Sequence, residues 1–371
     1  MATPFHRLAR ETPRYAWWKL PVAALVIVVT YFALCIVLMG LAALWFAVSD
    51  SSSSFEGWLD SAGDLDLARL DYFVIDMLSL VLLIPSVLLG VLVTGPRPVG
   101  YLSSVTGRLR WRWLGVTAVI ATTISLVTIG GSLLATQMTD PSEVSAPAQV
   151  DGRVAVTLLV VLLIVPFQSA AEEYLFRGFL LQLVGSWSRF AIVAILVTTP
   201  LFVAGHGYGL WGLVDVGVFG LTAAVLTIRT GGLEAAISAH AANNVVLFAL
   251  DALGMVSATD DTGAGPIDVV PTIISSILLL VVVEWAARRR GVQRTRDRIP
   301  EPPAPMWPPP PYAIVWYPPP VPHHWPSERS ERRQAPGRSP AAVRNEPLGP
   351  RSGALHPNTP DYPGELPPGW R

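Results

Sequence analysis

An all-α polytopic membrane protein, with about eight transmembrane helices and a disordered proline-rich C-terminal tail, is the fold class this 371-residue chain predicts. Three observations predict it. Hydrophobic residues make up 51% of the chain and charged residues only 14%, a balance foreign to most soluble enzymes. The apolar residues gather into stretches long enough to cross a hydrocarbon core about 30 Å thick. The charges between those stretches alternate in sign along the chain, basic then acidic.

Residues 1–19 form a basic N-terminus with Arg7, Arg10, Arg14 and Lys19. The apolar stretch from Leu20 to Val48 is longer than the hydrophobic part of a signal peptide, so a retained first span is expected. Further spans are expected at 72–95, 112–137, 154–185, 189–207, 211–228, 232–250 and 268–287, which together with the first make a membrane domain over 20–290. The first loop is acidic, with Asp50, Glu56, Asp60, Asp64, Asp66 and Asp71, and the next is basic, with Arg97, Arg108, Arg110 and Arg112. Asp140, Glu143 and Asp151 follow, then Arg189, Arg229, the acidic set Asp251, Asp260 and Asp261, and the terminal cluster Arg288-Arg289-Arg290. Counting the basic connections as cytoplasmic places both termini on the cytoplasmic side of a cell membrane. The single cysteine, Cys35, excludes a disulfide framework and a thiolate metal site. Lys19 as the sole lysine, with abundant Ala, Val, Gly and Pro, fits a GC-rich bacterial genome.

Residues 291–371 hold most of the 34 prolines, including Pro308–Pro311 and Pro318–Pro320. Such a segment buries too little apolar surface to offset its ordering entropy, and a disordered or polyproline II cytoplasmic tail is expected. Its functional reading is docking to a proline-recognising partner, and its bland reading is a solvated appendage. His323-His324 beside Trp325 has nothing nearby to hold it as a metal site.

The chemistry lies in three apolar segments. Glu172, Glu173 and Arg177, each alone against lipid, would together cost roughly 8–10 kcal/mol. Glu173 and Arg177 stand four apart with the acid first, the favourable order for a helical ion pair. Glu172 projects about 100° away from Glu173 and can face the bundle interior. The division of labour expected is Glu172 for chemistry and Glu173 with Arg177 for structural support. Phe202 and His206 share a helix face, as do His240 and Asn244. Counted from the two cytoplasmic turns at about 1.5 Å per residue, Glu172, His206, His240 and Asn244 all fall in one half of the bilayer.

Glu172-Glu173-x-x-x-Arg177, Phe202-x-x-x-His206 and His240-x-x-x-Asn244, in order on separate apolar segments, resemble the three-motif signature of the CPBP family. That family comprises the CAAX prenyl endopeptidases and the bacterial abortive-infection proteins. The resemblance covers about 154–250, the expected catalytic core. It implies an intramembrane endopeptidase with an all-helical core and with Glu172, His206, His240 and Asn244 as catalytic positions.

Peptide hydrolysis needs an activated water and a stabilised oxyanion, and these side chains can supply both. Glu172, His206 and His240 are also a plausible zinc ligand set with an open fourth position, in which case Glu173 becomes the base. Metal-bound and glutamate-activated water both remain open at this stage. The substrate class expected is a peptide or membrane protein reached through the lipid bilayer, with no nucleic acid involved. A proton- or ion-coupled transporter and a non-catalytic membrane scaffold of the same fold are the alternatives.

Overall fold

The computed structural model describes residues 2–12, 15–49, 53–62, 65–95, 98–139, 145–259 and 261–297. Apart from one two-stranded ladder, its regular structure is helical. The helices are α1 (Lys19–Val48), α2 (Phe55–Asp60), α3 (Leu70–Val81), α4 (Leu83–Val93), α5 (Trp111–Thr139) and α6 (Gly152–Glu173), followed by a π-helical segment at Tyr174–Leu180. α7 (Leu181–Trp187), α8 (Ala191–Val203), α9 (Leu210–Thr230), α10 (Glu234–Ala252) and α11 (Val270–Arg289) complete the set. The proline-rich segment beyond residue 297, and with it the expected docking to a proline-recognising partner, lies outside the described residues.

All eight expected spans are helical, and six are long and apolar enough to cross a membrane by length and composition. They are α1, α3 with α4, α5, α6 through α7, α9 and α11. This is a multi-pass membrane protein. α1 shows why a bilayer is needed: Leu25, Phe32 and Ile36 are well exposed on a helix that is apolar on all sides. The other two helices depart for identifiable reasons. α8 has 13 residues, and its length of about 20 Å is short of the hydrocarbon thickness. α10 is diluted by His240, Asn243 and Asn244, yet most of its first half is buried by protein and does not need apolar residues facing lipid.

Local chemistry sets the breaks. Pro85 near the start of α4 lacks an amide hydrogen and crowds the preceding turn, so α3 and α4 part at Leu82. Asp151 caps α6 by accepting from the Val154 amide at 2.8 Å. Gly231 ends α9 in the left-handed region (φ 68°), and a Cβ there would meet the Arg294 carbonyl.

α10 is the centre of the bundle, packed against α5, α6 and α9. Its run of alanines lets those backbones approach. On one side Trp113, Ala121, Leu226, Ala239, Leu279 and Val283 close the α5–α9–α10–α11 core. On the other, Phe73, Met77, Val161, Val165 and Phe248 join α3, α6 and α10, with Phe73 edge-on to Phe248 at 5.2 Å.

The connections sort into two groups by contact. Gln182 Nε2 donates to Tyr101 O at 2.7 Å, Arg10 Nη1 to Ser186 O at 3.0 Å, and Val105 N to Gly231 O at 2.9 Å. Arg110 donates to both Glu234 oxygens and to the carbonyls of Thr230 and Gln293. These contacts join the basic connections to one another. The acidic connections meet each other and the turn at 204–209 instead: Ala148 N donates to Leu253 O at 2.8 Å, Arg153 to Ala68 O, and Gly209 N to Asp261 Oδ2 at 2.6 Å.

Two terminal segments are more ordered than composition suggested. Phe5–Glu11 forms a 3-10 helix with Phe5, His6, Leu8 and Ala9 buried, and it packs against α7. A Cβ at Gly185 would collide with the His6 carbonyl, so glycine is required where this segment crosses α7. Thr3–Pro4 (β1) pairs antiparallel with Thr295–Arg296 (β2). Residues 291–297, expected to open the tail, instead run along the membrane body. Arg294 Nη1 meets Glu284 at 2.9 Å, and Arg296 Nη1 donates to Val105 O at 3.2 Å. The basic side chains of this stretch find fixed acceptors, which a composition argument does not count.

Candidate active site

The end of α6 carries both glutamates into the bundle. Pro166 lies within α6, and the helix widens to π geometry at Tyr174–Leu180, directly after Glu173. π segments inside helices are frequent at functional sites. Glu172 is 8% exposed, Glu173 0% and Arg177 1%. Arg177 Nη1 donates to Glu173 Oε1 at 2.9 Å and Nη2 to the Gly220 carbonyl at 2.9 Å, and the guanidinium carbon lies 4.1 Å from the Phe202 ring centre. The expected ion pair is therefore formed, with all its charge away from lipid.

His240 stands between the two glutamates. Its Nδ1 lies 2.9 Å from Glu173 Oε1, and its Nε2 lies 3.7 Å from Glu172 Oε2. A carboxylate only accepts, so Nδ1 carries a proton, and Nε2 is turned to Glu172. Phe219 and Phe202 hold the ring edge-on at 5.0 and 6.0 Å. Glu172 Oε1 accepts from Gln168 Nε2 at 2.7 Å, while Oε2 is buried with no hydrogen-bond partner. Asn244 reaches the same group from α10, its Nδ2 lying 3.4 Å from Gln168 Oε1.

His206 sits beyond the end of α8. Its Nδ1 is 2.9 Å from the Phe202 carbonyl, and its ring packs at 4.8 Å on Phe202 and 5.9 Å on Tyr208. Phe202 thus touches Arg177, His206 and His240 with one ring, and Phe176 packs on it at 5.2 Å. Gln168 joins Glu172 to Asn244, His240 faces Glu172, and the Phe202 ring lies between His206 and His240.

The zinc reading is tested by the donor set. Among the described residues no three His, Cys, Asp or Glu side chains are grouped to hold a metal ion. Nδ1 of each histidine is held by Glu173 or by the Phe202 carbonyl, the support a metal-ligating imidazole also uses, and the Phe202 ring packs against both imidazoles. Glu172, His206 and His240 are not grouped as a three-ligand set in this arrangement.

Two partners escaped the sequence reading. Gln168 stands one turn before Glu172, a buried amide in an aliphatic helix, and that polarity was the available signal. The link from Glu173 to His240, 67 residues apart, had no local signal.

Residues 153–246 match the Type II CAAX prenyl endopeptidase Rce1-like family model. The Rce1-like match contains Glu172, His206, His240 and Asn244, and it coincides with the segment whose motifs resemble the CPBP signature. The uncharacterized protein YyaK of Bacillus subtilis (strain 168) is 36% identical over 97 residues, 24% of this chain and 32% of that relative. The similarity thus spans about a third of the relative's length. No solved structure matches the chain significantly. The Rce1-like segment is the part that builds the site, and the remaining helices enclose it.

Proposed function

We propose that the protein is an intramembrane endopeptidase of the CAAX-protease-like type, hydrolysing a peptide bond with a water activated by Glu172. The observation that carries this is Glu172 Oε2, a buried carboxylate oxygen with no hydrogen-bond partner, facing His240 Nε2 across 3.7 Å. Oε2 is the oxygen left to take a proton from the hydrolytic water.

Glu172 takes a proton from that water as its oxygen attacks the carbonyl carbon of the scissile bond. The tetrahedral oxyanion is stabilised by the N–H groups of the Asn244 amide. As the carbon–nitrogen bond breaks, the proton passes from Glu172 to the departing amine, leaving a carboxylic acid and an amine. Glu173 holds His240 in one tautomer and one orientation, and Arg177 holds Glu173. The substrate is a peptide or membrane protein approaching through the bilayer.

Eight crossings with both termini on the cytoplasmic side are part of the same proposal. Pairing of β1 with β2, and the sorting of basic from acidic connections by contact, support it. The deciding experiment is cleavage of a panel of quenched-fluorescence peptides by the purified protein. Glu172→Gln keeps the side-chain volume and should lower turnover by about 100-fold or more while the melting temperature holds. Full activity in that variant would sink the proposal.

A further inference from the structure

Gln168 is more than nine-tenths buried, one turn before Glu172 on α6. Its Nε2 donates to Glu172 Oε1 at 2.7 Å, and its Oε1 accepts from Ser169 Oγ at 3.3 Å and Asn244 Nδ2 at 3.4 Å. Chemistry dictates this orientation. An ionised carboxylate can only accept, so the NH2 group of Gln168 faces Glu172 and its carbonyl faces α10. Asn244 must then present its own NH2 group to Gln168. Asn243 Nδ2 donates in turn to Asn244 Oδ1 at 3.3 Å. The donors all point one way, from Asn243 through Asn244 and Gln168 to a single oxygen of Glu172.

We propose that Gln168 is a positioning residue of the hydrolytic site, an inference that rests on the reading of Glu172 as the base. It has two effects. It occupies Glu172 Oε1, so that Oε2 is the oxygen left for the water and for His240. It also fixes the amide of Asn244, so that a second N–H of Nδ2 is available to the oxyanion and the carbonyl is turned away. A neutral donor does this without adding a charge that would weaken the base.

The test compares full-length wild type, Glu172→Gln, Gln168→Leu and Gln168→Glu, purified in detergent and assayed on the same quenched peptides. A cleaving wild type and an inactive Glu172→Gln protein establish the base independently of Gln168. Gln168→Leu is expected to lose about 10–100-fold in kcat with KM nearly unchanged, the worth of one hydrogen bond to a charged group. Gln168→Glu is expected to move the acid limb of the kcat profile to higher pH, because two carboxyl groups in contact share a proton. The other titratable groups around Glu172 are His240, Glu173, Arg177, Tyr31 and Tyr208, and they are the same in every variant.

A lowered melting temperature with wild-type kcat and an unmoved pH profile would mean a purely structural role and overturn the proposal. It would leave the Glu172 result standing. If Gln168→Leu does not accumulate, the nearly isosteric Gln168→Glu decides by its pH profile alone, and an unshifted profile overturns the proposal. A wild type that cleaves no peptide removes the reading of the base and this inference with it.

Discussion

Glu173 Oε1 lies 2.9 Å from His240 Nδ1 and the same distance from Arg177 Nη1, so one buried oxygen ties α6 and its π-helical extension to α10. The carboxylate does more than neutralise the arginine. It selects the tautomer of an imidazole whose other nitrogen faces Glu172. An ion pair legible from spacing thereby becomes part of the geometry of the base.

Removing Glu173 therefore has two consequences. Glu173→Ala leaves Arg177 buried and unpaired, and should cost about 3–5 kcal/mol of stability. Glu173→Gln keeps the volume and should lower peptide cleavage further than its melting temperature alone explains, because an amide no longer dictates the proton position on His240. In a double-mutant cycle the Glu173 and Arg177 losses should be markedly non-additive. Additive losses in chemical or thermal unfolding would show that the two side chains act separately.

Arg110 and Glu234 should behave asymmetrically. Sequence alone puts Glu234 in the first turn of a helix, where an acid is favoured by the helix dipole. In the fold it is fully buried and meets Arg110 at 2.6 Å and 2.8 Å, joining the loop before α5 to the turn before α10. Arg110→Ala leaves a buried unpaired carboxylate, at a cost of about 3–5 kcal/mol. Glu234→Ala leaves an arginine that is partly exposed and still bonded to the carbonyls of Thr230 and Gln293, and should cost less. Equal melting temperatures for the two variants would contradict this order.

His6 should make the protein less stable in mild acid. Burial holds its imidazole below the ordinary value of 6.5, against a weaker opposing effect of the Arg189 carbonyl, and Arg7 adds to the lowering. The unfolded chain therefore binds the proton more readily than the folded one. This contribution is complete above the unfolded value and is lost as pH falls toward the folded value. Melting temperature measured between about pH 8 and pH 5 should drop more for the wild type than for His6→Gln. Parallel curves would show that His6 does not titrate in this window.

Truncation should separate the ordered end from the proline-rich segment. A chain ending at Asp297 keeps β2, the Arg294–Glu284 pair and the Arg296 contact to Val105. It should cleave small peptides at the full-length rate. A chain ending at Val292 loses all three and should melt at a lower temperature, with its basic cluster Arg288-Arg289-Arg290 still in place. Loss of peptide cleavage in the Asp297 truncation would show that the segment beyond it acts at the site.

Hydropathy was enough to place helix in each expected span, six of which are long and apolar enough to cross a membrane, because the need to satisfy a bilayer is written residue by residue in composition. The spacings Glu173–Arg177, Phe202–His206 and His240–Asn244 were equally legible, since side chains four apart on a helix share a face whatever lies beyond it. The pairing of Glu173 with Arg177 followed from that rule and is present. What no local pattern contained was the rotation of α10 against α6. That rotation puts His240 between two glutamates, sets Gln168 across from Asn244 and packs Phe202 against both histidines. The same holds at the ends of the chain. A basic N-terminus and a proline-rich tail read as solvated by composition, yet Phe5 is buried against the bundle and Thr3 pairs with Arg296. Contacts between residues so far apart depend on how the helices pack, and only the tertiary structure decides them.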